Sequence, residues 1–522
     1  MKHVDNPDNS IVFADVNSNY HMETSSDFSE IDDRPIMDRI GSSRALIITL
    51  SAMGGLIFGY NTGVIGPALD ALNKIWHFNT VQQGLIACST LLGATFGSVG
   101  GGFMADKIGR RPMVLLTGLC TIAGAISSAA IRNMAISAPL RIILGLGVGC
   151  SSTVCPLMVA EAVPIEKRGK FGSVFQLFVT IGLLLSNVMG VLLMKAPHNW
   201  QWLYAAGAAP GFALLPIWLL MKESPVFLER KRREKELEQQ RIENGTAHEV
   251  VPKKSRYQIL REPRNRKPMF LGVVLAVFSQ LTGINAFMYF SSIIFEFAGF
   301  DGLYGPRTCA SILQFWNVSW TVIAMFTVDK VGRRILLFSG SIVMTVSDLL
   351  LALFFVVFTG GKVQGWLCIV MLFTFVAAFA MSIGTLFWFV IGEIMDDDVK
   401  DISTPIIVAL QWVFNLILTF VFLSAVRYIG KSTMFWIFGG IGVVCVFLLA
   451  TFLPPEQIKK DGDLTAPLSP GTDLDPDTFQ DVSPSIFSKD HFHDTMSSIS
   501  ENLRIDSPIP RKRKLPPSNL AQ

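Results

Sequence analysis

The chain has 522 residues, of which 50% are hydrophobic and 16% are charged, and its formal net charge is +3. Soluble globular proteins carry about 25% charged residues, so the composition argues against a soluble protein and favours a membrane protein. The small net charge argues against a nucleic-acid partner. The seven cysteines form no CxxC or Cys/His cluster, so we predict neither a disulfide framework nor a metal site.

The chain begins with a polar, acidic segment, 1–43, which is predicted to be a disordered tail. From residue 45 onward, apolar stretches recur at the length of about 20 residues that a helix needs to span a bilayer. We predict an all-α membrane protein with twelve transmembrane helices. The twelve stretches are 45–69, 81–104, 112–131, 137–160, 171–194, 201–221, 268–297, 308–328, 335–359, 366–393, 404–427 and 433–453.

The first apolar stretch is interrupted by the polar run FGYNTGVIG, from Phe58 to Gly66. A buried polar group without a partner is costly in lipid, so such groups usually face a bundle interior or a cavity. At the centre of the run lies Asn61, which cannot ionise. We therefore expect this segment to lie near a functional cavity.

A charged linker, 222–267, separates two six-helix halves, 44–221 and 268–453. Its charges recur at helical spacing, which predicts a solvent-exposed helix. Lys and Arg concentrate in the loops on the same side as this linker, whereas the opposite loops carry only scattered bases. By the positive-inside rule, the linker and both tails, including the polar segment 454–522, are predicted to be cytoplasmic. The expected location is the plasma membrane.

An internal repeat relates the two halves. The sequence ADKIGRRP at 105–112 returns as VDKVGRRI at 328–335, and Glu161 and Glu393 each precede a basic residue at the same spacing. Because each half has an even number of helices, the halves have the same orientation. A parallel duplication of this kind is expected of a transporter whose site lies between the halves.

Charged residues of the repeated elements lie at helix ends on the linker side. We interpret them as ion pairs that hold the two halves together while the opposite side is open. Each partly exposed pair is expected to contribute about 1 kcal/mol or less, which keeps the two states close in energy. The predicted gating residues are Asp106, Arg110, Arg111, Glu161, Arg168, Asp329, Arg333, Arg334 and Glu393.

Four motifs resemble the sugar porter family of the major facilitator superfamily, whose facilitative glucose transporters are members. They are FGYNTGVIG, PLMVAEAVPIEKRG (156–169), QLTGIN (280–285) and KESPVFL (222–228), and the resemblance covers about residues 45–456. It implies two pseudo-symmetric halves, alternating access and a sugar site at the midplane. A transporter of this kind is not an enzyme, so no catalytic residue and no cofactor are expected.

A sugar site calls for amide side chains, which donate and accept hydrogen bonds without charge, and for an aromatic face. Most of the candidates match sugar-contacting positions of the family. The alternative is that these amides only form hydrogen bonds between helices, as polar residues inside a membrane often do. Two departures affect this site, because Ser279 replaces a common glutamine and Gln411 replaces an asparagine. The candidate substrate-binding residues are Gln176, Gln280, Asn285, Asn317, Phe379, Trp388, Gln411, Trp412 and Asn415.

The coupling position decides between two mechanisms. Arg141 matches a family arginine that proton symporters pair with an aspartate on the first helix, and the place of that aspartate is taken by Asn61. Without an acid there, this route of proton coupling is absent. We therefore predict a facilitative uniporter of monosaccharides, with a hexose such as glucose as the expected substrate.

Two alternatives remain. Asp348 lies in the middle of the ninth stretch, where a carboxylate is costly and is a functional candidate, so proton-coupled symport of a sugar or of a polyol such as inositol is the first alternative. The second is a transporter-like sugar sensor that signals through its tails. Ser-Pro sites in the second tail predict kinases or regulators as partners, beside the sugar and the lipid bilayer.

Overall fold

The structure is a computed structural model. It describes residues 44–162, 165–243, 260, 262–297, 305–358, 362–395 and 397–453. Both predicted tails and the linker residues 244–259 and 261 lie outside the described residues. Within the described ranges every element of regular secondary structure is a helix, and these ranges belong to one compact unit.

The first half contains eight described helices. They are α1 (Arg44–Gly63), α2 (Ile65–Trp76), α3 (Thr80–Ile108), α4 (Arg110–Ala130), α5 (Met134–Ala162), α6 (Ile165–Leu192), α7 (Asn199–Ala206) and α8 (Ala209–Leu220). The charged helix predicted for the linker is present as α9 (Pro225–Glu243).

The second half repeats this pattern with more interruptions. Its described helices are α10 (Pro263–Leu281), α11 (Ile284–Tyr289), α12 (Ser291–Phe297), α13 (Gly305–Val331), α14 (Arg333–Val357), α15 (Lys362–Met381), α16 (Ile383–Ile394), α17 (Asp397–Ile429) and α18 (Lys431–Phe452).

Twelve stretches of the described helices are long and apolar enough to cross a membrane, which confirms the predicted number. We number them as spans 1 to 12. They are Ala45–Trp76, Thr80–Ile108, Arg110–Ala130, Met134–Ala162, Gly172–Leu192, Asn199–Leu220, Pro263–Tyr289, Gly305–Val328, Arg333–Val357, Val363–Trp388, Ile402–Ile429 and Lys431–Phe452. Successive spans alternate in direction, so we call the end that carries α9 the linker face and the opposite end the far face.

Span 1 is longer than the sequence predicted. The apolar run was expected to end at residue 69, but α2 continues to Trp76. This last part is amphipathic: Leu69 and Leu72 are buried, whereas Asp70 is only partly buried and Lys74 is exposed. The charges ended the apolar run without ending the helix, because one face of α2 still packs against the protein.

Glycines bring helix backbones into contact within the first half. Gly93 of span 2 lies against the Ile142 carbonyl of span 4, and Gly59 of span 1 lies against the Val179 carbonyl of span 5, so that an added Cβ would clash at both positions. Small residues at helix contacts are typical of membrane bundles, where close packing drives association. These contacts pair span 2 with span 4 and span 1 with span 5.

The two halves meet along two further helix pairs. Span 2 packs along span 11, where Gly84 lies against the Phe420 carbonyl and Gly102 lies against Pro405. Span 5 packs along span 8. The space between these two pairs is bounded by helices of both halves, and a cavity lies there.

Candidate substrate cavity and coupling position

The cavity between the halves has a volume of about 60 Å³. The first half contributes residues of spans 1 and 5, and the second half contributes residues of spans 7, 8, 10 and 11. Among the described residues that line it, none is ionisable except Tyr289. The polar and aromatic lining residues are Phe58, Thr62, Gln176, Thr180, Ser279, Gln280, Asn285, Tyr289, Asn317, Phe379, Phe387, Trp388 and Gln411.

The structure brings seven of the nine candidate residues to this cavity, namely Gln176, Gln280, Asn285, Asn317, Phe379, Trp388 and Gln411. The other two stand behind it. The Trp412 ring packs on Phe58 with the ring centroids 4.7 Å apart, and Asn415 Nδ2 donates to the Tyr289 hydroxyl at 3.2 Å. In this structure Trp412 and Asn415 therefore support residues of the cavity wall without reaching the cavity.

A break in span 7 positions two of the amides. Helix α10 ends at Leu281, and Gly283 takes a φ of 94°, a left-handed conformation that glycine adopts at little cost. The break lets Asn285 turn back so that its Nδ2 donates to Gln280 Oε1. Both side chains therefore face the cavity from one helix, which a continuous helix would place on different faces.

Aromatic residues join the halves at the cavity wall. Trp388 of span 10 donates from Nε1 to Gln176 Oε1 of span 5 at 3.4 Å, and its ring meets Phe175 edge to face at 5.6 Å. Trp412 of span 11 donates from Nε1 to Ser152 Oγ of span 4 at 3.2 Å. These contacts close the space between spans 4, 5, 10 and 11.

The two departures from the family pattern contact each other. Gln411 Nε2 donates to Ser279 Oγ at 3.3 Å, while Ser279 Oγ donates to the Ala276 carbonyl at 3.0 Å. The short serine leaves room that the longer amide of Gln411 enters. Sequence comparison treats the two changes separately, whereas the structure shows them as one pair.

One amide oxygen at the cavity has no partner. Asn317 is buried, its Nδ2 faces the Met288 sulfur at 3.7 Å, and its Oδ1 finds no hydrogen-bond partner among the described residues. An unpaired buried acceptor is costly. A ligand hydroxyl in the cavity would supply the missing donor.

Sequence analysis missed three polar residues of the cavity lining. They are Thr62, which follows Asn61 in the polar run, Thr180 of span 5 and Tyr289 at the end of α11. The polar run signalled that span 1 faces a cavity, but the sequence could not show which of its residues does so. Asn61 itself is turned towards span 6.

The coupling position lies against one turn of span 6. Asn61 Nδ2 donates to the carbonyl oxygens of Ile57 at 3.0 Å and Gly207 at 3.2 Å. The Arg141 guanidinium lies over the Tyr204 ring, 4.0 Å from its centroid. Both side chains are buried, and they contact residues three positions apart on the same turn.

Polar atoms at this turn lack partners. Asn61 Oδ1 and the Nε and Nη1 atoms of Arg141 have no hydrogen-bond partner among the described residues. The Tyr204 ring stabilises the cation through its π face. No acid contacts Arg141 in the part of the chain that the structure describes.

At the linker face, Arg110 and Asp106 form ion pairs with residues of the first half and of α9. Arg110 is fully buried; its Nη2 donates to Glu161 Oε1 at 2.6 Å and its Nη1 lies 3.3 Å from Asp106 Oδ1. Asp106 also pairs with Arg230 of α9 at 3.1 Å. The predicted pairing between the halves stays a prediction, since the side chains of Arg168, Asp329 and Glu393 lie outside the described part. The side chains of Arg111, Arg333 and Arg334 belong to the described part of the chain, and they are only partly buried.

Glu223 is a further member of this group that sequence analysis did not single out. Its carboxylate accepts from the backbone N–H of Arg110 at 2.8 Å and from that of Arg111 at 3.1 Å. Glu223 therefore caps the N-terminus of α4, and its negative charge interacts favourably with the positive end of the helix dipole. The motif KESPVFL contained this residue, but only the fold shows what it contacts.

Asp348 is buried in span 9, with 1% of its surface exposed. Neither carboxyl oxygen has a hydrogen-bond partner among the described residues. An ionised carboxylate in such a place is costly. The side chain does not line the cavity.

Comparisons with known proteins agree on one family. The model of the family described as "Sugar (and other) transporter" matches residues 47–460. The chain is 31% identical to the glucose transporter GlcP of Staphylococcus epidermidis, over 80% of this chain and 95% of that protein. It is also 31% identical to the galactose-proton symporter of Escherichia coli, over 78% and 90%.

A solved structure shares the fold. The xylose transporter XylE of E. coli, in a partially occluded inward open conformation, superposes with a TM-score of 0.63 at 25% identity, over 79% of this chain and 99% of XylE. The match includes both halves and agrees with the twelve spans. The chain is thus a sugar transporter of the major facilitator superfamily and belongs to the sugar porter family.

Proposed function

We propose that the protein carries monosaccharides across the plasma membrane by alternating access, as a facilitative uniporter. The observation that carries this proposal is the cavity between the halves, whose described lining combines amides and aromatic rings with no Asp, Glu, Lys, Arg or His. An amide side chain can both donate a hydrogen bond to a hydroxyl oxygen and accept one from a hydroxyl hydrogen. The absence of charge in this lining disfavours organic anions and cations as substrates.

The size of the cavity supports a single sugar ring. Its volume is about 60 Å³, and since a water needs about 10–15 Å³ of such space, it has room for about four to six waters. This is comparable with one monosaccharide and too small for a disaccharide. The related proteins named for glucose and galactose are consistent with a hexose.

The hydrogen-bond donors and acceptors support a substrate with many hydroxyls. Asn317 Oδ1 has no hydrogen-bond donor among the described residues. Gln411 and Gln280 each donate one amide hydrogen to Ser279, which leaves the second amide hydrogen of each free to bind a ligand. Phe379 and Trp388 supply the apolar faces. A sugar ring presents both hydroxyls and an apolar C–H face, so one molecule meets both demands.

Uniport is supported by the coupling position. Asn61 cannot bind and release a proton at physiological pH, and the neighbouring Arg141 contacts an aromatic ring in place of a carboxylate. A sugar that binds without a proton runs down its own gradient. We further propose that the linker face is cytoplasmic, since basic residues concentrate there.

A second candidate is proton-coupled symport, which two observations favour. The related galactose transporter of E. coli is named a proton symporter, and Asp348 is a buried acid without a hydrogen-bond partner among the described residues. In this case a proton taken up at Asp348 would drive the sugar. Asp348 lies outside the cavity lining, so uniport remains the first proposal.

Uptake by purified protein in liposomes tests the function. We expect saturable uptake of a labelled hexose that a second hexose competes away, with Gln280→Ala as the transport-deficient variant and protein-free liposomes as the blank. If hexoses, pentoses and inositol all fail to enter, monosaccharide transport is wrong. If sugar enters but accumulates only with an inward proton gradient, the second candidate replaces the first.

A further inference from the structure

An ion pair bridges the two halves at the far face. Asp70 of α2 belongs to the first half, and Arg307 of α13 belongs to the second; Arg307 Nε donates to Asp70 Oδ2 at 3.3 Å. Ser292 Oγ of α12 donates to the same carboxylate oxygen at 3.0 Å. The Asp70 side chain is 21% exposed and that of Arg307 is 11% exposed, so the pair is only partly screened by solvent.

The bridge lies directly outward of a backbone contact. One helical turn deeper than Asp70, Gly66 presses against the Tyr289 carbonyl, where an added Cβ would clash. Residues four apart lie on the same face of a helix, so Gly66 and Asp70 both face the second half. Tyr289 lines the substrate cavity, which places these contacts between the cavity and the far face.

We infer that Asp70, Ser292 and Arg307 form the outer gate of the transport cycle, a latch that holds the cavity closed to the far face. Opening the far face must part span 1 from α12 and span 8, because the latch joins them. Parting them breaks the ion pair and both hydrogen bonds to Asp70. The latch therefore biases the equilibrium towards the closed far face, and ligand binding has to supply the difference.

Other charges stand around the latch. Partial burial raises the pKa of the Glu296 carboxyl and Asp70 raises it further, while Arg307 and Lys74 lower it. Among the described residues, Arg307 donates its side-chain hydrogen bond to Asp70 and not to Glu296. Glu296 is therefore an acid near the latch that does not belong to it.

This inference rests on alternating access in the proposed function, but it can be tested without sugar. Ser291 is 2% exposed and adjoins the latch, so Ser291→Cys reports whether the far face is open. Its rate of reaction with a charged, membrane-impermeant thiol reagent would be measured in purified full-length protein. The parent with its native cysteines is the blank.

We expect Asp70→Asn and Arg307→Gln each to raise the labelling rate of the Ser291→Cys protein by about fivefold, the effect of losing one partly exposed pair. The charge exchange Asp70→Arg with Arg307→Asp should return the rate towards the parent value, and Glu296→Gln should leave it within about twofold.

Two results would overturn the inference. The first is parental labelling in a monodisperse Asp70→Asn protein, which would show that the pair does not hold the far face closed. The second is equally fast labelling in the charge exchange and in the single variants, which would show that pairing is not what matters. Absence of sugar uptake by the parent protein, together with the expected labelling pattern, would contradict the proposed function and leave the latch intact.

Discussion

Replacing Asn61 by aspartate tests the link between this position and energy coupling. In the present structure Asn61 Nδ2 donates to the Ile57 and Gly207 carbonyl oxygens. An ionised carboxylate would turn an oxygen towards both of them and would lose two hydrogen bonds. Each bond contributes about 0.5–1.5 kcal/mol, so the ionised form loses about 1–3 kcal/mol relative to asparagine.

The protonated acid avoids about half of this loss, because its single O–H still donates to one of the two carbonyls. The ionised form becomes favourable only when the Arg141 guanidinium, which rests on Tyr204 of the same turn, moves to pair with it. Asn61→Asp therefore creates a group that binds a proton in one arrangement and releases it in another. This is the requirement for coupling a proton to a conformational change.

The assay is proton movement during sugar uptake, followed with a pH-sensitive dye in liposomes containing the purified protein. We expect the parent to move sugar without protons and Asn61→Asp to move both. Asn187→Asp is the matched control, since Asn187 is a buried asparagine of span 5 that donates to the Leu183 carbonyl. Sugar uptake by Asn61→Asp without any proton movement would refute the reasoning about this position.

Three further predictions concern binding and stability. Gln280→Ala should weaken sugar binding by about tenfold or more. The control Gln201→Ala loses a hydrogen bond to the Ala129 carbonyl and should not weaken binding. Equal sugar affinities of the two variants would contradict the assigned site. The Asp348→Asn variant should keep sugar uptake, and a folded but inactive Asp348→Asn protein would favour symport. Asp348→Leu should raise the melting temperature, because it removes a buried carboxyl without a hydrogen-bond partner among the described residues. Glu223→Ala should lower the free energy of unfolding by about 1–2 kcal/mol in thermal melts, with Glu223→Gln in between; unchanged melts would refute the cap.

Much of the fold followed from the sequence, because a helix that crosses a bilayer must be apolar over a fixed length. The number of spans and the charged helix of the linker are confirmed. The far end of span 1 was missed because Asp70 and Lys74 ended the apolar run. An amphipathic helix end has no such signature, and the outer latch was therefore invisible in the sequence.

The site was predicted in part. The amides could be chosen because their chemistry suits a neutral polyhydroxylated ligand, and seven of nine candidates reach the cavity. The sequence could not show that Asn61 turns away from the cavity while Thr62 faces it, since that depends on the rotation of span 1 against span 6. Nor could it show that Ser279 and Gln411 touch, because the two residues lie on different spans.

Uptake of a labelled hexose by liposomes under an imposed proton gradient tests the central claim most directly. With Asn61 at the coupling position, the internal sugar concentration should rise only to the external concentration, at the same final level with or without the gradient. Accumulation above the external concentration that collapses when a protonophore is added would contradict facilitative transport.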